Sequence, residues 1–139
     1  MGSSQELPGN LLSSCLLAEV PDSTFKTDSP ARLPWFSEYN VAAWLGFRYP
    51  VHNAIGILLE YTDLSGTHSL VVDECSAPDG LQLMLSGRVQ INAEGHIRSM
   101  NVRCCGIERG ASVRVDELFV QRVEQTAALL RRAKFAANF

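Results

Sequence analysis

Residues 55–105 decide the fold of this chain: IGILLEYTDLSGTHSLVVDECSAPDGLQLMLSGRVQINAEGHIRSMNVRCC. Three short segments within the stretch end on glycine: Asp63–Gly66, Ala77–Gly80 and Asn92–Gly95. Each opens near Asp, Asn or Pro and closes on Gly, the chemistry of a short hairpin loop whose backbone enters positive φ. The stretch therefore predicts a meander of four antiparallel strands joined by three tight turns.

The turns also predict the strand register. Four-residue loops give three closing pairs, which are Thr62 with Thr67, Ser76 with Leu81, and Ile91 with His96. This register produces one face that is apolar across the sheet, with a first row of Ile57, Val72, Leu85 and Val102. The other face is mixed and charged, and it carries Leu58, Val71 and Met84 among its polar residues. Since a slip of one residue would exchange the faces, the agreement of three turns supports the register.

The segments on either side complete the predicted fold. Residues 1–34 contain many prolines and small polar residues, which predicts a loosely structured segment in which one apolar patch, Leu11 to Val20, forms a short helix or an edge strand. Alternating apolar residues from Val41 to Tyr49 predict a further strand that ends at Pro50. After Asp116 the apolar period becomes helical, with a stripe of Phe119, Val123, Ala127, Leu130 and Ala133. We therefore expect one α+β domain over 1–139: a curved antiparallel meander of five or six strands over 41–115, with a C-terminal amphipathic helix over 116–138 packed on one face.

Composition excludes several classes of protein. Apolar residues make up 46% of the chain and charged residues 19%, which is typical of a globular domain. A net charge of −3 argues against nucleic-acid binding by phosphate neutralisation. No apolar run approaches the ~20 residues that span a bilayer, so no membrane association is expected. We expect a soluble cytoplasmic protein.

The cysteines give no sign of a disulfide framework or a metal site. Cys15, Cys75, Cys104 and Cys105 lack zinc-type spacing, and two of them are adjacent. The predicted register places Cys104 on the apolar face, and it places Cys75 and Cys105 on the polar face. We therefore expect free thiols, with Cys104 packed and Cys105 at the surface, and we predict neither a metal nor a cofactor.

Aromatic residues supply the first candidates for a binding site. Trp35, Tyr39 and Trp44 lie in an aromatic segment, and tryptophan and tyrosine dominate protein interfaces because they bury large areas with little loss of rotamer freedom. The alternative is that these side chains close the core. His68 beside Tyr61 is a candidate acid or base, or a histidine at the rim of the sheet with one hydrogen bond.

Charged residues on the outer face supply the second candidates. Arg88 and Arg103, near Asp73 and Glu74, would hold an anionic ligand or form ordinary cross-strand ion pairs. No phosphate-binding loop, dinucleotide motif, nucleophile elbow or metalloprotease helix is present, which lowers the expectation of an enzyme. The sequence identifies no catalytic residue.

These observations favour a small non-enzymatic binding or regulatory protein that acts through protein contacts, with a homodimer as the expected state. The alternative is a small-molecule-binding protein or an enzyme with a pocket between the sheet and the helix. In that case Trp44, Tyr61 and His68 would line the pocket, and His68 would act as acid or base.

One short pattern resembles a known family. Asp63-Leu64-Ser65, followed by Leu85–Val89 and the C-terminal amphipathic pattern, is similar to PilZ domains, small barrels that bind cyclic di-GMP. The paired arginines of that family, spaced Arg-x-x-x-Arg, are absent, since Arg32 and Arg48 are the only arginines before the sheet. The position three places after Ser65, a glycine in the family, is His68. We therefore carry neither the ligand nor any site residue across.

Overall fold

The structure is a computed structural model that describes residues 14–26, 34–76, 80–108 and 111–123. These residues form seven strands: β1 (Cys15–Glu19), β2 (Pro34–Phe47), β3 (Ile55–Asp63), β4 (Gly66–Cys75), β5 (Gln82–Glu94), β6 (Ser99–Cys105) and β7 (Val113–Arg122). Their one helix is the single turn α1 (Asp22–Phe25). The strands form two antiparallel sheets, a first sheet in the order β1-β6-β3-β4 and a second sheet in the order β5-β2-β7.

The hairpin between β3 and β4 confirms the first predicted turn. Thr62 pairs with Thr67, and Tyr61 pairs with His68, as the four-residue loop requires. All three predicted turn glycines, Gly66, Gly80 and Gly95, adopt positive φ. The turn chemistry therefore predicted correctly where the backbone takes this conformation.

The predicted continuous meander is wrong because β5 leaves the sheet that contains β3 and β4. β5 pairs with β2 from Gln82 opposite Gly46 to Glu94 opposite Pro34. β6 then returns to the first sheet and pairs with β3 and β1. A glycine turn specifies a change of direction, but the choice of partner depends on tertiary contacts that a local pattern does not contain.

The core lies between the two sheets. Tyr39, Leu45 and Leu85 of the second sheet share one buried cluster with Ile57 and Val102 of the first. The predicted apolar face is therefore buried, even though its rows do not belong to one sheet. Each strand turns alternate residues toward the common core, so the inward or outward assignment holds whichever strand is the partner.

The predicted α+β class, with a C-terminal helix over 116–138, is wrong for the described residues, which form almost only strands. Residues 113–122 form β7, which pairs with β2 from Val113 opposite Phe47 to Arg122 opposite Tyr39. Phe119, predicted to face the core, is exposed. β2 is long and offers a free edge, and pairing along that edge outweighs the weak helical period of these residues. The rest of the predicted helix, residues 124–138, lies outside the described residues.

The segment predicted to be loosely structured contains ordered elements. β1 pairs with β6, with Cys15 opposite Cys104. In α1, Phe25 is buried in the core, and the guanidinium of Arg122 donates a 2.9 Å hydrogen bond to the carbonyl of Lys26. Burial of one large aromatic side chain stabilises such a short element, which sequence periodicity cannot detect. Residues 1–13 and 27–33 lie outside the described part of the chain.

Two aspartates join the first sheet to the backbone of β5. Asp73 accepts a 3.0 Å hydrogen bond from the amide of Ser86, and Asp63 accepts a 2.8 Å hydrogen bond from the amide of Glu94. Ser86 and Glu94 are an even number of residues apart on β5, so their amides point to the same side of the strand, away from β2. At Gly87 a Cβ atom would lie 2.3 Å from the Val72 carbonyl oxygen, so the strands come very close. We call these six residues the sheet junction.

Candidate functional site

An apolar patch lies on the outer face of the second sheet. Trp44 on β2 is opposite Met84 on β5, and Ala42 is opposite Phe119 on β7. Trp44 is 39% exposed, Met84 49% and Phe119 44%. Ala42 lies among them and is buried. We call these four residues the Trp44 face.

Polar residues border the Trp44 face on the same sheet surface. Arg88 donates a 3.1 Å hydrogen bond to the side chain of Asn40, and Gln90 donates a 2.7 Å hydrogen bond to Glu38. Glu117 on β7 lies opposite Trp44. An apolar centre with a polar rim of both charge signs is typical of a protein-binding surface.

The structure separates the residues that the sequence grouped as aromatic candidates. Trp44 lies on the outer face, whereas Tyr39 is fully buried in the core. Trp35 lies on β2 opposite Ala93. Met84 and Phe119 were not predicted as neighbours of Trp44, since only the pairing of β5 and β7 with β2 brings them together. The alternation along β2 was the available signal, because it places Ala42 and Trp44 on one face.

The predicted cluster of Asp73, Glu74, Arg88 and Arg103 is wrong. Arg103 lies on β6 of the first sheet, where its guanidinium is 3.4 Å from the hydroxyl of Ser14. Asp73 accepts hydrogen bonds from the amides of Glu74 and Ser86. The cluster required β5 between β4 and β6, but β5 pairs with β2. Leu58 and Val71 likewise lie on the first sheet, apart from Met84.

A polar cluster surrounds the turn between β3 and β4. The buried carboxylate of Asp63 accepts hydrogen bonds from the amide and the hydroxyl of Ser65, at 2.8 and 2.7 Å. Nε2 of His68 lies 2.8 Å from the Ser65 hydroxyl oxygen and 3.2 Å from Asp63 Oδ1. The Ser65 proton is directed to Asp63, so Nε2 of His68 must be the donor to Ser65. The ring of His68 packs against Tyr61, with centroids 5.0 Å apart.

These contacts hold Asp63 in its ionised form. Burial raises the pKa of Asp63, but hydrogen bonds from Glu94, Ser65 and His68 outweigh it and lower the pKa to about 2. A carboxylate that accepts several hydrogen bonds stays charged even when it is shielded from water. Asp63 therefore acts as an anchor for the turn and for β5.

The Asp63 cluster does not have the geometry of a catalytic triad. In a triad the carboxylate binds Nδ1 of the histidine, and the serine hydroxyl binds Nε2. Here Asp63 and Ser65 both contact Nε2 of His68. The predicted pocket of Trp44, Tyr61 and His68 is also wrong, because Trp44 faces outward on the second sheet while the other two lie on the first.

The cysteines correct one further expectation. Cys104 is buried as predicted, and its burial, with smaller contributions from Cys15 and Cys105, raises its pKa to about 12. Cys105, predicted at the surface, is also buried. It lies opposite Gly56, and a Cβ atom at that glycine would be 3.1 Å from the Cys105 sulfur, so the thiol occupies space that a side chain would take. Within the described ranges no three His, Cys, Asp or Glu side chains form a possible metal site.

Comparison with protein-family models, curated proteins and solved structures finds no match for this chain. The likeness to PilZ domains thus rests on the short sequence patterns alone. Among the described residues, no helix has the length and apolar character needed to cross a membrane.

Proposed function

We propose that this chain is a small non-enzymatic binding or regulatory protein that acts through protein contacts at the Trp44 face, with a second copy of the chain as its partner. The observation that carries the proposal is the grouping of Trp44, Met84 and Phe119, all exposed, on one sheet surface. Large apolar side chains grouped in this way lose contact with water when a partner covers them.

The size of the patch sets the strength of the interaction. The exposed parts of the three large side chains amount to roughly 300 Å2, at the low end of patches that are often functional. A stable interface covers about 800 Å2 on each partner, so the polar rim must take part as well. This balance favours reversible association over an obligate dimer.

A second copy is the partner that this surface fits most simply. In a twofold dimer the same surface is used by both chains, so it must be self-complementary. The rim carries cationic Arg88 on β5 and anionic Glu38 and Glu117 on the other strands, while the centre is apolar. Charges of both signs around one apolar centre allow such a surface to face its own copy.

The test is sedimentation velocity from low micromolar to submillimolar chain concentration. Wild type should convert from monomer to dimer as its concentration rises. Met84→Glu would bring two like charges toward each other in a twofold interface, and it should weaken association at least tenfold. Val71→Glu introduces the same charge on the outer face of the first sheet and should leave association unchanged.

The outcome can contradict the proposal in two ways. A wild-type chain that stays monomeric at the highest concentration would contradict self-association. Equal weakening by Met84→Glu and Val71→Glu would contradict the choice of face. Near-ultraviolet circular dichroism should show that both variants keep the wild-type fold.

A further inference from the structure

An open cleft lies where the connection from β2 to β3 meets the connection from β6 to β7. Its volume is about 470 Å3, and it is lined by residues 47–52 on one side and by Ile107, Glu108, Ala111 and Ser112 on the other. Small-ligand sites have volumes of roughly 300 to 1,000 Å3. The cleft is thus large enough for a small organic molecule, and none of its residues belongs to the Trp44 face.

A glycine specifies how the two connections meet. Gly106 has φ of +92°, and a Cβ atom there would lie 2.0 Å from the carbonyl oxygen of Ala54. Only glycine combines this conformation with so close an approach. The amide of Phe47 also donates a 2.8 Å hydrogen bond to the carbonyl of Leu81, which holds the end of β2. The strand ends beside the cleft are therefore held by specific contacts.

The base of the cleft is apolar and its rim is polar. Phe47 and Ile107 are buried and contribute to the core, so they supply a rigid apolar surface. Tyr49 is 73% exposed, and the Arg48 side chain is exposed beside it. Within the described part of the chain, the guanidinium of Arg48 forms neither a hydrogen bond nor an ion pair. An apolar base beside an unengaged cation is the chemistry that orients a small anionic ligand.

We propose that this cleft binds a small carboxylate with one aromatic or branched apolar group, the carboxylate at Arg48 and the apolar group against Phe47 and Ile107. A guanidinium matches a carboxylate because it offers two parallel donors in one plane. Glu108 lies on the facing wall, and its negative charge repels a phosphate dianion more strongly than it repels a singly charged carboxylate. This site is independent of the proposed interaction at the Trp44 face.

The experiment is titration of the isotope-labelled full chain with benzoate, followed by amide chemical shifts. Phenyl phosphate and benzylamine serve as probes of the same size with different charge. A ligand as small as benzoate should bind in the millimolar range. Benzoate should shift the amides of Val51, His52 and Ile107, and Arg48→Gln should weaken its binding at least tenfold. Arg98→Gln removes an exposed arginine outside the cleft and should leave binding unchanged.

Each alternative result overturns part or all of the assignment. If benzoate causes no saturable shift at the cleft residues, the site does not exist. If Arg48→Gln binds benzoate as well as wild type does, Arg48 does not hold the carboxylate. Tighter binding of phenyl phosphate or benzylamine than of benzoate would overturn the ligand class. Retention of the wild-type amide spectrum away from the cleft shows that Arg48→Gln is folded.

Discussion

The sheet junction and the Trp44 face both include residues of β5, but their side chains are in opposite environments. At the junction Asp63 is buried and accepts hydrogen bonds from three residues, and Asp73 accepts two backbone hydrogen bonds. On the Trp44 face, large apolar side chains remain partly exposed. A buried charge whose hydrogen bonds are satisfied fixes the architecture, whereas an exposed apolar cluster offers surface to a partner.

Because of this difference, substitutions in the two regions should change different measured quantities. Changes at the junction should lower the free energy of unfolding and leave association of the folded chain intact. Changes on the Trp44 face should alter association with little effect on unfolding. The following substitutions test that separation.

Gly87→Ala should have the largest effect, a loss of about 3 kcal/mol in the free energy of unfolding. The new Cβ atom would lie 2.3 Å from the backbone carbonyl oxygen of Val72, so the two strands must move apart. Urea denaturation measures the loss. Ser86→Ala keeps the backbone amide that binds Asp73 and is the matched control. Equal stability of the two variants would show that the junction is not tightly packed.

Asp63→Asn should lower the free energy of unfolding by about 2 kcal/mol at neutral pH, because it removes charge-assisted hydrogen bonds to three residues. Urea denaturation of both chains gives the difference. Asp116→Asn, at an exposed aspartate paired with Arg114 on β7, is the control and should leave stability almost unchanged, because a surface ion pair is screened by water. A loss no larger than that of the control would contradict the anchoring role of Asp63.

The contribution of Asp63 should also depend on pH. Its pKa is lowered to about 2 in the folded chain from an ordinary value of 3.8, so the stabilisation is present above about pH 4 and is lost as the pH falls toward 2. The stability difference between wild type and Asp63→Asn should therefore shrink over this window. Urea denaturation at several pH values measures it. A difference that stays constant on acidification would show that the charge of Asp63 is not involved.

Ser65→Ala should cost about 1 kcal/mol, since it removes the hydroxyl between Asp63 and His68 but leaves the amide hydrogen bond to Asp63. Thermal unfolding followed by circular dichroism is sufficient to detect it. Ser69→Ala, on the exposed side of β4, should have no measurable effect. Equal losses in the two variants would argue against a specific role for the cluster.

Met84→Glu should have the smallest effect on stability, within ~1 kcal/mol, because this side chain is half exposed and the substitution leaves the core intact. Urea denaturation at a concentration below that of association measures it. A loss of stability comparable to that of Gly87→Ala would contradict the separation of the two regions, because the Trp44 face would then be needed for folding itself.

The sequence predicted those parts of the fold that depend on neighbouring residues. The pairing of Thr62 with Thr67 followed from one turn, and the inward direction of Ile57, Leu85 and Val102 followed from alternation. The partner of β5 did not follow, because β2 lies far away in the sequence. Residues 117–122 have a helical period, yet they form a strand because β2 provides an edge with which to pair.

The candidate site was likewise predictable only where it depends on residues that are neighbours in the sequence. Trp44 was identified as a binding residue from its type, but its neighbours Met84 and Phe119 depend on the pairing of three distant strands. Asp63 was recognised only as a turn residue, because its bond to the amide of Glu94 appears only when β5 lies beside the turn. The cleft at Arg48 requires two connections that meet at Gly106.

The central position of β2 has a consequence for how the chain assembles. Val41 of this strand pairs with Gly87 and with Val120, both much later in the sequence. During synthesis β2 therefore emerges long before either neighbour, with its apolar residues uncovered. Such distant pairing slows folding, and a nascent chain halted before β5 is a species prone to aggregation or capture by chaperones.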